Sequence, residues 1–262
     1  MKRRVVELEL EVTDWVEHLV AAEFGIAAFA INLIAALGAL RAGPRVQGVG
    51  GGRSPLQVMR LYPRTEPAGL VYWCAPGHRT VLLTVWRTTR ISETHESERA
   101  RTALRECTAH PADDHRPWAE IVKRRIVEPG AAEMYQQASV AHAFGQHVYH
   151  LRRLHRLRRD ELAAAADTTE DLVTRCESGG LMTTTPAAGR IASVLGCRHL
   201  LAQAPLAVPT PTAILLGDED PTEVPPPVAF PGEDDRPAHQ APRRRRRLLP
   251  SRRSRERRTL RP

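Results

Sequence analysis

Aromatic residues are scarce in this 262-residue chain: Phe, Trp and Tyr together make 5% of it, so a core must come mainly from Leu, Val, Ile and Ala. Cysteine is scarce too. Cys74, Cys107, Cys176 and Cys197 include no Cys-x-x-Cys pair, and no His partner is picked out at zinc-site spacing. That excludes a disulfide framework and leaves reduced thiols, with no metal and no cofactor expected, in a cytoplasmic protein. A signal-peptide apolar region is missing as well, because Val5–Val12 alternates with Glu7, Glu9 and Glu11. The one long uncharged run, Phe24–Leu40, has 17 positions, the lower edge of a membrane span. Its large side chains (Ile26, Phe29, Leu33, Leu37, Leu40) form a single stripe opposite Ala27, Ala28, Asn32, Ala35 and Ala39, which predicts a buried amphipathic helix rather than a membrane partner. The glycine-rich stretch Gln47–Ser54 lacks the Lys and Ser/Thr of a phosphate loop and reads as a flexible turn. No Ser/His/Asp set stands out.

What is present begins with charge. The formal net charge is +8, but Ala241–Pro262 holds eleven Arg and one Glu, a local +10, so the other 240 residues sum to 8 − 10 = −2. The basic character belongs to the tail, and pI is no argument for DNA binding by the folded part. Pro205–Asp235 is proline-rich, with seven acidic residues and no Lys or Arg. Neither segment can bury enough apolar surface to offset its ordering entropy, so residues 205–262 are expected to be disordered. Arg243, Arg244, Arg245, Arg246 and Arg247 form a polycation able to add nonspecific, salt-sensitive nucleic-acid affinity, or a functionless extension.

Period-two alternation predicts a strand over Val5–Val12, and Thr13 is a candidate N-cap for a helix from Asp14-Trp15 to about Ala22. Strand-like runs follow at Leu56–Tyr62, Gly69–Ala75 and Thr80–Arg87, the last two joined by the turn Pro76–Arg79. A helix from about Glu96 to Thr108 closes a compact α+β domain, residues 1–110. Residues 111–117 read as a linker and 118–204 as an all-α domain.

Within the helical part, Val148, Leu151 and Leu154 form the inner face of a first helix. A short second helix runs from Arg159 to Ala166. Asp167-Thr168 is a tight turn, and Thr168 or Thr169 caps a third helix to about Ser178. Leu172 and Val173 pack inward, with Glu170, Asp171, Thr174 and Arg175 exposed; a fourth helix, Ala188–Leu195, uses Ile191, Val194 and Leu195 as its core stripe. The L-R-R-L run near Leu151, E-L-A at Glu161–Ala163, R-x-E-x-G at Arg175–Gly179 and R-I-A-x-x-L-G at Arg190–Gly196 together resemble the XRE (Cro/repressor-like) helix-turn-helix family over about 55 residues. The resemblance implies that the third helix enters the DNA major groove with Thr168, Thr169, Glu170, Asp171, Thr174 and Arg175 at or near base edges, and that Arg159 meets a phosphate. Glu170 and Asp171 depart from the Gln, Ser or Asn common in that family; acids there face phosphates and accept only from base amino groups, which implies weakened or altered binding. A packing or dimerisation module is the alternative.

The α+β part carries Arg60, Arg64, Arg79, Arg87 and Arg90 on or beside its strands, with Tyr62 and Tyr72 among them. Basic side chains on a sheet suit an RNA backbone or a phosphoryl transition state, or simply a solvated face. The run R-L-Y-P-R … G-L-V-Y-W-C-A-P-G-H-R-T-V-L-L-T-V-W-R-T-T-R … E-R-A-R-T-A-L, with its order of elements, resembles RelE/HigB-type (phage Gp49-like) toxins, which cleave mRNA on the ribosome. That resemblance implies catalytic roles for Arg60, Tyr72, Arg87 and Arg90. Gly69 and Thr88 stand where a cation is usual, and since one charge-stabilising donor contributes about 3–4 kcal/mol, the nuclease is expected to be attenuated. Residues from Trp118 onward resemble a HigA-like antitoxin. The chain thus reads as a toxin–antitoxin fusion: a DNA-binding autoregulator and homodimer on an operator, with mRNA and the ribosome as further partners, no membrane, and an intramolecular toxin–antitoxin contact at an effective concentration on the order of millimolar. The alternatives are an active RNA endonuclease inhibited in cis, and an interaction protein with neither activity.

Overall fold

The computed structural model describes residues 4–37, 45–49, 55–63, 66–87, 93–111 and 114–201, all within one compact unit. Arg64, Thr88, Arg90, the tail from 202 and its Arg243–Arg247 lie outside the described residues.

Strand β1 is Val5–Leu8, with Val6 and Leu8 turned into the core and Val5 exposed. Helix α1 starts earlier than the Thr13 cap suggests, at Leu10, and runs to His18. The reason is visible at Glu9 and Thr13: Glu9 already has extended backbone at the N-cap, and the Thr13 hydroxyl donates back to the Glu9 carbonyl from inside the helix (3.0 Å). Val12 and Val16, four apart, form its buried face.

Helix α2, Ala21–Leu37, corrects the amphipathic expectation. Every residue from Glu23 to Ala35 is buried, the small face as well as the large one. The alanines that look too weakly apolar for lipid are instead the surface against which neighbouring helices close in; a Cβ at Gly25 would stand 2.1 Å from the Ala131 carbonyl oxygen. Among the described residues, no helix is long and apolar enough to cross a membrane.

Strands β2 (Val46–Gly48), β3 (Leu56–Leu61), β4 (Ala68–Ala75) and β5 (Arg79–Arg87) form an antiparallel meander, to which β1 adds in parallel beside β5. Part of the stretch expected to be only a glycine-rich turn therefore supplies an edge strand. Gly77 and His78 turn the β4–β5 hairpin with successive positive φ (74° and 59°). Helix α3, Glu93–Ala109, packs Ala100 and Cys107 on one face of the sheet, over Val58, Val71, Val81 and Leu83.

The supposed linker is not a spacer. His115 is buried, and Arg116–Pro117 forms β6, pairing antiparallel with β1 and completing the sheet order β2-β3-β4-β5-β1-β6. Helix α4 (Trp118–Arg125) follows at once. Its Trp118 packs on Phe24 (ring centroids 5.8 Å apart), and the indole N–H donates 2.9 Å to Asn32 Oδ1. The Asn32 amide in turn donates to Tyr135 Oη at 3.2 Å, so one buried asparagine on α2 ties both later helices to it. Arg125 crosses the C-terminal end of α1, donating to the Leu19 carbonyl (2.7 Å) and, closely, to that of Val16, while its guanidinium lies 4.6 Å from the Phe24 ring centre. These bonds satisfy carbonyls that a helix end leaves without partners.

Helix α5, Ala131–Leu154, has 24 residues, about 36 Å of helix. Its first half packs Met134, Tyr135 and Ala138 into the sheet's second face with α2; its second half places Phe144 and Val148 in a separate core with α6 (Arg159–Ala165), α7 (Glu170–Glu177) and α8 (Pro186–Val194). A 3-10 turn, Arg198–Leu201, closes the described chain. The boundary drawn at residue 110 thus cuts through one apolar core. Two inward assignments are also corrected: Leu154 is 74% and Val194 39% exposed, because α5 and α8 turn those positions away from their partners.

Candidate nucleic-acid interface

The helix pair α6–α7 is built by local chemistry. The Arg158 backbone N–H donates to the Glu161 carboxylate at 2.8 Å, starting α6. Asp167 takes a left-handed φ of 48° between the helices. Thr169, not Thr168, is the N-cap of α7, its hydroxyl accepting from the Leu172 N–H (3.2 Å). Thr168 is half-buried, and its hydroxyl has no hydrogen-bond partner among the described residues. Thr169, Glu170 and Asp171 are exposed at the head of α7, with Thr174 half-buried behind them. The two acids sit where a helix N-terminus favours negative charge, so they stabilise α7 whatever they do to DNA.

Glu177 organises the rest. It is fully buried at the end of α7, paired closely with Arg152 Nε, and with Arg152 Nη2 at 3.1 Å and Arg159 Nε at 2.8 Å. Arg159 therefore enters the surface already held on one edge, about a third exposed (33%), and lines the same depression as Arg153 and Arg158. Tyr149, Arg152, Arg153, Arg158, Arg159, Asp160 and Glu170 line one open depression at the head of α7. Arg152, Arg153 and Glu177 lie inside stretches already read as family motifs, but only as motif letters; their pairing needs α5 and α7 side by side.

Arg175 behaves otherwise than expected. Its Nε donates to the Gly180 carbonyl at 2.9 Å, and its guanidinium lies 5.3 Å from the ring centre of Tyr62, at the end of β3. Its guanidinium thus faces the sheet half of the molecule, away from the exposed head of α7 where the resemblance places base contacts.

Of the residues implied as catalytic, the two whose side chains are described, Arg60 and Tyr72, are not brought together. Arg60 is exposed and donates to Gln47 Oε1 at 3.0 Å. Tyr72 is 1% exposed and belongs to the core shared with α2 and α5, its hydroxyl donating to Gln57 Oε1 (2.7 Å) and its pKa pushed up by burial. Arg60 shares the parity of Val58, which packs on the α3 side, so the two residues belong to opposite faces of the sheet. Gly69 opposite Arg60 is buried; a Cβ there would meet Val58 at 2.7 Å and Trp86 at 3.3 Å, leaving no room for a cation. Only the backbone of Arg87 falls within the described residues, and Arg90 lies outside them.

One further cluster contains a single cysteine. Glu9, Cys107, His110 and His115 bring one ligand atom each within 4.8 Å of one another. Glu9 Oε1 lies 3.1 Å from both His110 Nε2 and His115 Nε2, and Cys107 Sγ lies 3.6 Å from His115 Nε2. His115 Nδ1 meets Glu7 at 2.9 Å, completing a Cys–His–Glu line that superficially suits a nucleophile. The setting opposes that use. Cys107 is 5% exposed, and burial with the Glu9 carboxylate beside it pushes the thiol up to about 12. The spacing Cys107-x-x-His110-x-x-x-x-His115 was legible, whereas Glu9 joins from the far end of the first strand.

No family model, no curated protein and no solved structure matches the chain.

Proposed function

We propose that the chain is a helix-turn-helix DNA-binding transcriptional regulator of toxin–antitoxin type, cytoplasmic, with a RelE/HigB-like domain that is attenuated as a ribonuclease. The observation that carries this reading is the exposed first turn of α7, Thr169 to Asp171, beside a depression containing Arg152, Arg153, Arg158 and Arg159. In such a geometry the arginines neutralise phosphates and set the register of the helix, and the head of α7 meets base edges. Homodimerisation on an inverted repeat is part of the proposal. The buried Tyr72 and the Gly69 position without space for a cation favour this reading over a working nuclease.

A mobility-shift titration of the full chain on its own upstream DNA tests it. Binding that weakens steeply with salt and prefers that DNA over scrambled sequence is expected. Absence of any shift at low salt would sink the proposal. Expression of the full chain with unchanged growth and intact mRNA is the outcome expected for the attenuated domain.

A further inference from the structure

We propose that Glu9, Cys107, His110 and His115 form a structural zinc site that fastens the end of α3 and the segment before β6 to the first strand. Three of the ligand separations match a tetrahedral ion, and all four donor atoms lie within 4.8 Å of one another. With Zn–N near 2.05 Å and Zn–S near 2.3 Å, tetrahedral geometry requires about 3.3 Å between nitrogen or oxygen ligands and about 3.6 Å between nitrogen and sulfur. The observed separations are 3.1 Å for each Glu9–His pair and 3.6 Å for Cys107–His115.

The hydrogen bonds behind the ligands point the same way. His110 Nδ1 lies 3.0 Å from the Pro111 carbonyl oxygen, which only accepts, so Nδ1 carries the proton. His115 Nδ1 lies 2.9 Å from the Glu7 carboxylate, itself held by Arg79. His110 thus has the Nδ1 partner typical of a metal-bound imidazole, and His115 has it where the nearer Glu7 carboxylate, rather than the Arg79 Nη2 that lies 3.4 Å away, sets the tautomer; both Nε2 lone pairs then face the Glu9 oxygen. Lone pairs converging in this way suit a cation. A proton on one Nε2 serves a single nitrogen–oxygen pair; a divalent ion serves all four donor atoms.

Charge and burial identify the class of ion and its role. One thiolate and one carboxylate balance Zn²⁺ with two neutral imidazoles, giving a neutral complex suited to a site where the Cys107 and His115 side chains are buried. As the Sγ–Zn bond forms, the Cys107 proton passes to solvent. Four protein donors leave no open position for substrate water, so the site is structural rather than catalytic.

Metal analysis of the full chain, purified without an affinity tag from zinc-containing medium, is expected to show one zinc per chain. After chelation, titration with Co²⁺ is expected to give the visible bands of a tetrahedral ion and a sulfur-to-cobalt charge-transfer band in the near ultraviolet. Cys107→Ser should abolish that band, Cys74→Ser should retain it, and Glu7→Gln should weaken zinc affinity by about tenfold or more. Should Cys107→Ser fail to fold, His110→Gln, at the more exposed ligand, supplies the second arm through lost zinc affinity. A folded chain, checked by circular dichroism, that carries no zinc and gives no cobalt spectrum overturns the proposal. Metal binding unaffected by Cys107→Ser and His110→Gln overturns it too.

Discussion

The guanidinium of Arg175 lies 5.3 Å from the ring centre of Tyr62, while its Nε holds the Gly180 carbonyl at 2.9 Å. This relationship fastens the end of the helix that would read DNA to the end of a strand in the sheet half. Gly180 takes part directly: a Cβ on it would come within 2.1 Å of the tyrosine ring. Backbone and ring are thus in contact, and the two halves meet here as well as through Asn32.

Gly180→Ala should therefore destabilise the chain by about 1–3 kcal/mol, the ordinary cost of overpacking. Gly189, inside α8, has nothing among the described residues within 4 Å of its missing Cβ. Gly189→Ala should stabilise by about 0.5–1 kcal/mol through the entropy of the unfolded chain. Denaturant midpoints of the two variants should move in opposite directions, and a neutral Gly180→Ala would show that the contact is absent in solution.

The Glu177 carboxylate is the common partner of Arg152 and Arg159. Replacing it by Gln leaves the buried Arg152 cation without its counter-charge, and a loss of about 3–5 kcal/mol is expected in chemical denaturation. Arg158→Gln, on an exposed ion pair with Asp160, should cost no more than about 1 kcal/mol in the same assay. Equal effects would refute the central role given to Glu177.

How much of this was legible in advance follows from the range of the interactions involved. The α6–turn–α7 unit is specified by neighbours in sequence, namely Thr169 capping Leu172 and Asp167 in a left-handed turn, and its boundaries came out within a residue or two. The strands β3 to β5 were legible from their patterning for the same reason. Helix α2 was not, because burial on every side depends on α4 and α5, and its alanines carry no mark of which surface will cover them. The two-residue β6 is too short for any periodicity to register, and it turns an apparent linker into part of the sheet. Tyr72 sat correctly on a strand, but the bulge at Val71/Tyr72 shifts the pairing there, and its alternation could not say which face it occupies. The Glu9 carboxylate reaches the His110 and His115 imidazoles across about a hundred residues of sequence, a separation no local motif search covers.

His142 on α5 has its pKa pushed down to about 3, by burial first and then by the nearby Arg45 cation. The unfolded chain takes up this proton near the ordinary value of 6.5, the folded chain only near 3. Between those limits the unfolded state binds more protons, so stability falls as pH falls, by about 1.4 kcal/mol per pH unit from this group. The contribution is fully present above 6.5 and is lost on acidification. His142→Asn should flatten the stability profile between pH 6 and 4 by about that slope. The lowered carboxylates Glu7, Glu11 and Glu128 will continue to destabilise both chains at still lower pH. Identical slopes for the two proteins would rule out a neutral, buried His142.

On the proposed reading, the arginine depression and the acidic head of α7 would make opposed contributions to DNA binding. Arg153 and Arg158 are both exposed there, free of the buried Glu177 carboxylate. If they meet phosphates, Arg153→Ala and Arg158→Ala should weaken binding to every sequence alike, each lowering the slope of log affinity against log salt by about 1. Glu170→Gln and Asp171→Asn remove negative charge from the surface proposed to face the phosphates, and together should tighten binding while making it less selective. The same pair should lower thermal stability slightly, because each acid favours the N-terminus of α7 by about 0.3–1 kcal/mol. Titrations at several salt concentrations, on upstream and scrambled DNA, separate these effects. Tighter binding accompanied by a lower Tm would show that the two acids serve the helix at the expense of DNA affinity; weaker binding would show instead that they contact bases.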